Sequence, residues 1–429
     1  MLLKNETDAV LLDQLQQAAF GYFLEYVNPD NGLIADTSLP GAPSSIAATG
    51  FGLSAYPVGV ERDWMSRGDA ATRTLVTLRF FAESPQGREK NATGYKGLYY
   101  HFLEMRTGQR TWRSEISLID SALLIAGVLT AAAYFNQENE VEAEIRSLAA
   151  MLYARINWTW ALDGKGAFWL GWKPRSGFLP HRWESYSEAI ILYVLALASP
   201  SHPIGRESYD AFAEKFDWMT VEEKPLLYAG PLFIHLFSHA WIDFRGIRDE
   251  AVAAKDTDYF ENTCRAIAVQ RDYAISNPGG FAGYGADMWG LTSCDGPLRP
   301  RRLQDGRRQR FSGYAARGAP FGPDDGTIAP WAPLACLPFE TEAAISATRH
   351  VVSTYPGVIR EGRFLGSFNP SVPGKTTEGW LNSRSVGLDQ GVLVMMIENH
   401  RTGLLWNLLR ESPVIRRGLK RAGFSGGWL

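Results

Sequence analysis

The sequence predicts an all-α fold, an (α/α)6 barrel in which six helical hairpins form a toroid with long aromatic-rich loops at one mouth. Three observations predict it. Six segments are apolar nearly all round, six others between them carry a narrower apolar stripe among many charges, and the longer connections concentrate Gly, Pro and aromatic residues. Although 429 residues could hold two or three average domains, one closed helical architecture also fits that length, and the alternation spans it; a single domain over 1–429 is expected.

The all-round apolar segments are 45–56, 115–132, 185–198, 231–242, 326–337 and 387–398, and they begin at Gly, Ser or Asp punctuation. A helix without a polar face has to be buried on most sides, so these form the inner ring. Segments 8–26, 67–83, 139–155, 206–216, 259–276 and 340–353 have the amphipathic period of helices that cover a core. The run 116–133 is long enough to raise the question of a membrane span, but Asp120 interrupts it and its flanks lack anchors, so it reads as a buried helix. The long connections 87–111, 157–184, 277–325 and 355–386 are expected to build a groove at the ring mouth. Within them, 299–310 holds six Arg and one Asp with almost no apolar residue, which favours a mobile solvated loop over a lid against an anionic substrate.

Composition narrows the partners. With 45% hydrophobic residues, 21% charged and a net charge of −3, the chain has material for a core and lacks the basic footprint of a nucleic-acid binder. Aromatics reach 12%, with 14 Trp, and several stand beside Gly or Pro, as in GWKP at 171–174 and DMWG at 287–290. Such rings either plug the ends of a large core or stack on the C–H faces of sugars. Cys264, Cys294 and Cys336 are odd in number and lack C-x-x-C spacing, so neither a disulfide framework nor a zinc site is signalled. Lys4, Glu6, Asp8 and Asp13 interrupt any apolar run at the start, so no secretory leader is visible; the expectation is cytoplasmic as the chain stands, periplasmic if a leader had been removed. No membrane partner is expected, and the sequence leaves the oligomeric state open.

The chemistry-bearing feature is a set of acids near the starts of inner segments: Asp120, Glu188 and Asp389, each followed by a long apolar run. Capping accounts for any one of them, because a first-turn carboxylate satisfies free N–H groups and the helix dipole. It does not explain why they precede the most apolar helices, where burying charge costs most. In a ring of hairpins the inner helices run roughly parallel, so the three carboxyls could face one cavity. Glycoside hydrolysis needs that arrangement, with one carboxyl kept protonated for the leaving oxygen and another ionised to activate water or attack the sugar. For inversion the two stand about 6.5–9.5 Å apart; a non-catalytic glycan-binding toroid would instead disperse or salt-bridge them. Glu115 is a further candidate, and Asp243 is expected to pair with Arg245 or Arg248. Asp324 and Asp325 precede Gly326 as caps or as hydroxyl-binding groups.

Other motifs fall away. His235 and His239 share a helix face, but Leu236 stands where a zinc-protease helix needs Glu, so no metal is expected; they read as substrate-bonding or core histidines, and only as a facing pair would they admit an isomerase. GFSGG at 423–427 has no strand before it and no His after it, and the Gly283–Met288 stretch breaks the dinucleotide fingerprint at Met288.

Several strings are familiar as an ordered set: SIAATGFGL at 45–53, WRSEISLID at 112–120, GWKP at 171–174, SHAWIDFRG at 238–246, NPGG at 277–280, YGADMWGLT at 284–292, YAARG at 314–318 and DDGTIAP at 324–330. From about 20 to 406 the chain resembles the glucoamylase-like family that includes bacterial endo-β-1,2-glucanases, glycoside hydrolase family 144, and a module of cyclic β-1,2-glucan synthases. The resemblance implies an (α/α)6 barrel acting on a β-glucan or glucooligosaccharide, with anomer inversion and no metal or organic cofactor. It implies Glu188, Asp120 and Asp389 as the acids lining the cleft; of these, Glu188 is expected as the general acid, with Asp389 or Asp120 positioning the water. It further implies Trp172, Trp183, Tyr186, His239, Trp289, Arg317 and Asp325 as subsite residues; Trp112, Glu115 and Asp287, in the same strings, complete the substrate-binding set. The expected activity is endo-β-1,2-glucanase, with an exo-acting or differently linked β-glucosidase as the alternative.

Overall fold

The two apolar patterns fold into two kinds of helix. In the computed structural model, which describes residues 7–429, the chain opens with α1 (Asp8–Glu25), α2 (Ile46–Glu61) and α3 (Arg67–Glu83), followed by α4 (Leu118–Tyr134), α5 (Glu140–Ala154), α6 (Ile190–Ala198) and α7 (Arg206–Ala213). The second half carries α8 (Phe237–Trp241), α9 (Glu250–Ala253), α10 (Tyr259–Ser276), α11 (Ala332–Ala335) and α12 (Thr341–Thr354), then α13 (Gly387–Arg401), α14 (Leu404–Arg410) and α15 (Pro413–Arg421). The leader expectation rests in part on residues 1–6, which lie outside the described residues.

The punctuators act as caps. Ser45, Ser66, Ser117 and Asn139 each accept a first-turn N–H with the side chain, so their helices start where the apolar pattern starts. The helix α2 is buried continuously from Ile46 to Gly59 and α6 along its whole length, whereas α3, α5 and α12 bury one stripe each. α2 packs between α4 and α13, α4 also meets α6, and α8 and α11 meet α13; α3 lies against α5, α1 on α13 and α12 on α11. The crossing of α2 and α4 is backbone on backbone. A Cβ added to Gly127 would lie 2.0 Å from the Gly50 carbonyl oxygen, so only glycine allows this approach. Of segment 116–133, residues 118–133 lie within α4 and 116–117 form a strand, and among the described residues no helix is long and apolar enough to cross a membrane.

The chain is therefore mostly helical, with several corrections to the expected architecture. Segment 231–242 divides into a 3-10 turn, Leu232–His235, and the short α8. Segment 326–337 contracts to the single turn of α11, since Pro330 and Pro333 supply no backbone donors. The all-α label fails locally, because the connections between α3 and α6 contribute a five-stranded antiparallel sheet in the order Gly94–Tyr95, Leu98–Tyr100, Ile116–Ser117, Gly171–Lys173, Gly177–Phe178. Strands of two or three residues are too short to show alternation. The Arg-rich segment is a hairpin, Arg301–Arg302 paired with Arg308–Gln309, anchored by Leu303 in a small cluster with Phe281, Phe311 and Val372. Outside the twelve expected segments, the amphipathic α15 covers α6 with Ile415, Gly418 and Leu419.

Candidate active site

Three helix starts bring the predicted acids to one place. Asp120 stands in the first turn of α4, Asp389 in the first turn of α13, and Glu188 in the turn just before α6. All three line one cavity of about 790 Å³, as do Trp112, Glu115 and Trp183. Glu188 is set by its backbone: Ser238 Oγ donates to the Glu188 carbonyl at 2.8 Å and accepts from Ile191 N at 3.2 Å, tying α8 to the entry of α6. Asp389 is set by a long-range join, in which the Gly387 N–H donates to the Asp36 carbonyl at 2.8 Å. Asp120 is set by its own cap, since Ser117 Oγ donates to Oδ2.

The three acids have different surroundings. Glu188 takes no side-chain hydrogen bond among the described residues, and burial pushes its pKa up to about 7, with Asp120 adding to the rise. Leu123, Phe233 and Phe237 line the same cavity and supply the apolar side of that environment. Burial also holds Asp389 well above the usual carboxylate range, helped by Asp36 and Asp295 and opposed by the Trp331 indole, whose Nε1 lies near without completing a hydrogen bond of ordinary geometry. Asp120 instead faces a cation. Burial disfavours charge on His101, but Asp120, Glu115 and Asp36 outweigh it and raise its pKa to about 9; His101 Nε2 lies 3.4 Å from Asp120 Oδ2 and Nδ1 3.0 Å from Glu115 Oε1. That bond from His101 pulls Glu115 below its usual range.

Two rings shape the mouth. Trp112 and Arg113 both adopt φ of 52°, the left-handed region that L-residues rarely enter, and the Trp112 indole is turned out to 68% exposure beside Phe102. Tyr314, 67% exposed, also borders the cavity. Deeper in, the indole nitrogens of Trp183 and Trp331 are buried without a hydrogen-bond partner among the described residues, while their rings line the cavity.

Seven predicted binding residues do not line this cavity. Trp172 is buried and stacked on Tyr95 with ring centroids 4.8 Å apart. Tyr186 is buried with its hydroxyl 3.3 Å from His235 Nδ1, and His239 lies among Phe244, Phe260 and Phe339 with Nε2 3.2 Å from Thr263 Oγ1. Both histidines are core residues whose pKa burial lowers, to about 4 and about 3. Trp289 is buried and Asp287 half-buried in the neighbouring turn. Arg317 is fully buried in a two-bond pair with Asp325, at 2.8 and 2.7 Å, and donates to the Cys294 carbonyl at 2.6 Å; the pair braces the strand that carries the cavity residues Ser293 and Cys294. Asp324 accepts from the hydroxyls of Tyr284 and Tyr273. Asp243 pairs with Arg245, as expected, and also with Arg410. Spacing alone cannot separate residues packed in this way from residues that line the cavity.

The structure adds Asp36, His101, Asp295, Tyr314, Trp331 and Arg384 to the cavity. Burial raises Asp36 to about 6, and Arg384 pairs with Asp295 at 2.5 Å. The only sequence signal for most of these was their place in Gly- and Pro-rich connections. A second hollow of about 830 Å³ lies at the opposite helix ends, between the last turns of α2, α4 and α13. Its buried carboxylate, Glu398, is already neutralised by two bonds from Arg62, at 2.8 and 3.0 Å, so it offers no free buried acid.

Acids gathered at the starts of buried helices and faced with indole rings define a glucoamylase-type helical protein. The chain belongs to the Glycoamylase family, described as "Putative glucoamylase", whose model matches residues 180–413. It is 30% identical, over 97% of its length, to the exo β-1,2-glucooligosaccharide sophorohydrolase (non-reducing end) of Parabacteroides distasonis, and spans 58% of that protein. Among solved structures, the endo-β-1,2-glucanase of Chitinophaga pinensis, in complex with sophorotriose and glucose, is similar with a TM-score of 0.85 at 26% identity, covering 99% of this chain and 100% of that one. A β-1,2-glucanase of Parabacteroides distasonis is similar with a TM-score of 0.84 at 28% identity, covering 97% of this chain and 60% of that one.

Proposed function

We propose that the chain is a glycoside hydrolase that cleaves β-1,2-linked glucan by an inverting, two-carboxylate mechanism, on an (α/α)6 barrel closed by the six inner segments. The packing of α2 between α4 and α13, with α6 beyond α4 and α8 and α11 against α13, supports the ring. The observation that carries the activity is the convergence of Glu188, Asp120 and Asp389 in one aromatic-walled cavity, with an unpartnered acid on one side and a cation-paired acid on the other. Glu188, protonated below about pH 7, is the general acid that delivers its proton toward the leaving oxygen. Water attacks the anomeric carbon from the opposite face, and Asp389 or Asp120 takes its proton. Trp112, Tyr314 and Trp183 provide the ring surfaces that hold glucosyl units.

Endo action, releasing short β-1,2-glucooligosaccharides, is supported by the likeness to the Chitinophaga pinensis endo-β-1,2-glucanase; exo action is the second reading, favoured by the likeness to the Parabacteroides distasonis sophorohydrolase. Chromatography of products over β-1,2-, β-1,3-, β-1,4- and α-linked glucans tests both. A ladder of products from β-1,2-glucan supports endo cleavage, a product of one length supports exo cleavage, and release from none of the panel overturns the hydrolase reading.

A further inference from the structure

The connection between α3 and α4 brings against Asp120 two residues, His101 and Glu115, to which the proposed mechanism gives no step. His101 lies between two carboxylates, with Nδ1 3.0 Å from Glu115 Oε1 and Nε2 3.4 Å from Asp120 Oδ2. Its ring is clamped in place. It stacks on Phe102 at 4.0 Å between centroids, with planes 13° apart, and its backbone N–H donates to the Glu115 carbonyl at 2.9 Å. Glu115 in turn packs on the backbone of the neighbouring strand: a Cβ on Gly171 would fall 2.9 Å from Glu115 Cγ. An imidazole between two carboxylates donates from both nitrogens only as the imidazolium.

We propose that His101, held by Glu115, is a positioning residue that orients the Asp120 carboxyl in the cleft. The inference rests on the hydrolytic reading of this site. Both contacts to Asp120, from Ser117 Oγ and from His101, fall on Oδ2, and Oδ1 takes no protein hydrogen bond among the described residues, which leaves it to water or sugar. An anion there favours the positive charge that develops on the sugar ring, and it also disfavours ionisation of Glu188, so the acid keeps its proton. The charged groups that bear on the triad are Asp36, which favours the cation, and Lys173 and Arg110 beside Glu115. The raised pKa of His101 agrees with this geometry.

The test uses the full chain with ring-labelled histidine. In the unaltered protein, the His101 resonances should remain those of an imidazolium through pH 8, and Glu115→Gln should bring its titration below that pH. In steady-state kinetics on β-1,2-glucooligosaccharides, His101→Gln should lower kcat at least tenfold with KM changed less than threefold. A ring that titrates near 6.5 in the unaltered protein, or a loss in His101→Gln that falls on KM with kcat unchanged, overturns the proposal. If His101→Gln does not fold, the titrations of the unaltered protein and Glu115→Gln decide the question. Activity surviving in Glu188→Gln would sink the hydrolytic reading while the His101 titration still reported on the triad.

Discussion

Replacing Glu188 with Gln should separate chemistry from stability in one variant. Glu188 is buried, no other residue's side chain bonds its carboxyl among the described residues, and burial, only partly opposed by its own backbone N–H, lifts its pKa from 4.5 to about 7. Between those two values the folded protein binds more protons at this site than the unfolded chain does, so stability falls as pH rises through the interval. Once the group is ionised in both states, the cost is about 3 kcal/mol, from the separation of the two values at about 1.4 kcal/mol for each pH unit. Glutamine has nearly the same shape and no charge. Glu188→Gln should therefore be more stable than the parent at pH 8 by about 3 kcal/mol, but by only about 1 kcal/mol at pH 5, where the parent's native carboxyl is already neutral. Urea unfolding followed by tryptophan fluorescence at the two pH values measures the difference, and the same preparation should release no sugar. A stability gain equal at both pH values, or a loss at pH 8, would refute the view that Glu188 is a neutral acid held in an apolar wall. This is the expected signature of a site whose function costs stability.

Other consequences are separately measurable. Activity should decline above about pH 7 as Glu188 ionises; if Asp389 holds the water, the acid limb should lie well above the ordinary carboxylate range. Proton NMR during hydrolysis of a β-1,2-linked substrate should show the α-anomer first, and a first-formed β-anomer would exclude inversion. Trp112→Ala should raise KM about tenfold, with thermal stability unchanged, because the ring is 68% exposed and its loss removes a stacking surface. Arg317→Ala should cost about 3–5 kcal/mol in urea unfolding by stranding Asp325 without its partner.

Much of the helical framework was legible because burial leaves a periodic trace. The all-round apolar run of α2 and the one-sided stripe of α5 differ in sequence as they differ in packing, and Ser45 and Asn139 mark their helix starts directly. The same trace located Asp120, Glu188 and Asp389, since a carboxyl ahead of an apolar helix stands out against its surroundings. It failed where structure is short or set from a distance. The two- and three-residue strands carry no period, and the 3-10 turn before α8 looks like helix. Trp172, His239 and Arg317 are as polar or aromatic as residues that face the cavity, yet they lie behind it.

The sequence by itself determined which segments are helices of the core and which acids stand at their starts, because those properties depend on neighbours within a few residues. Only the tertiary structure decided how those acids differ. Glu188 and Asp389 are kept apart from protein cations, while Asp120 meets His101, which reaches it from a connection that shows no pattern of its own. Proton affinity depends on burial and on charges a few ångströms away in space, and chain distance does not encode either.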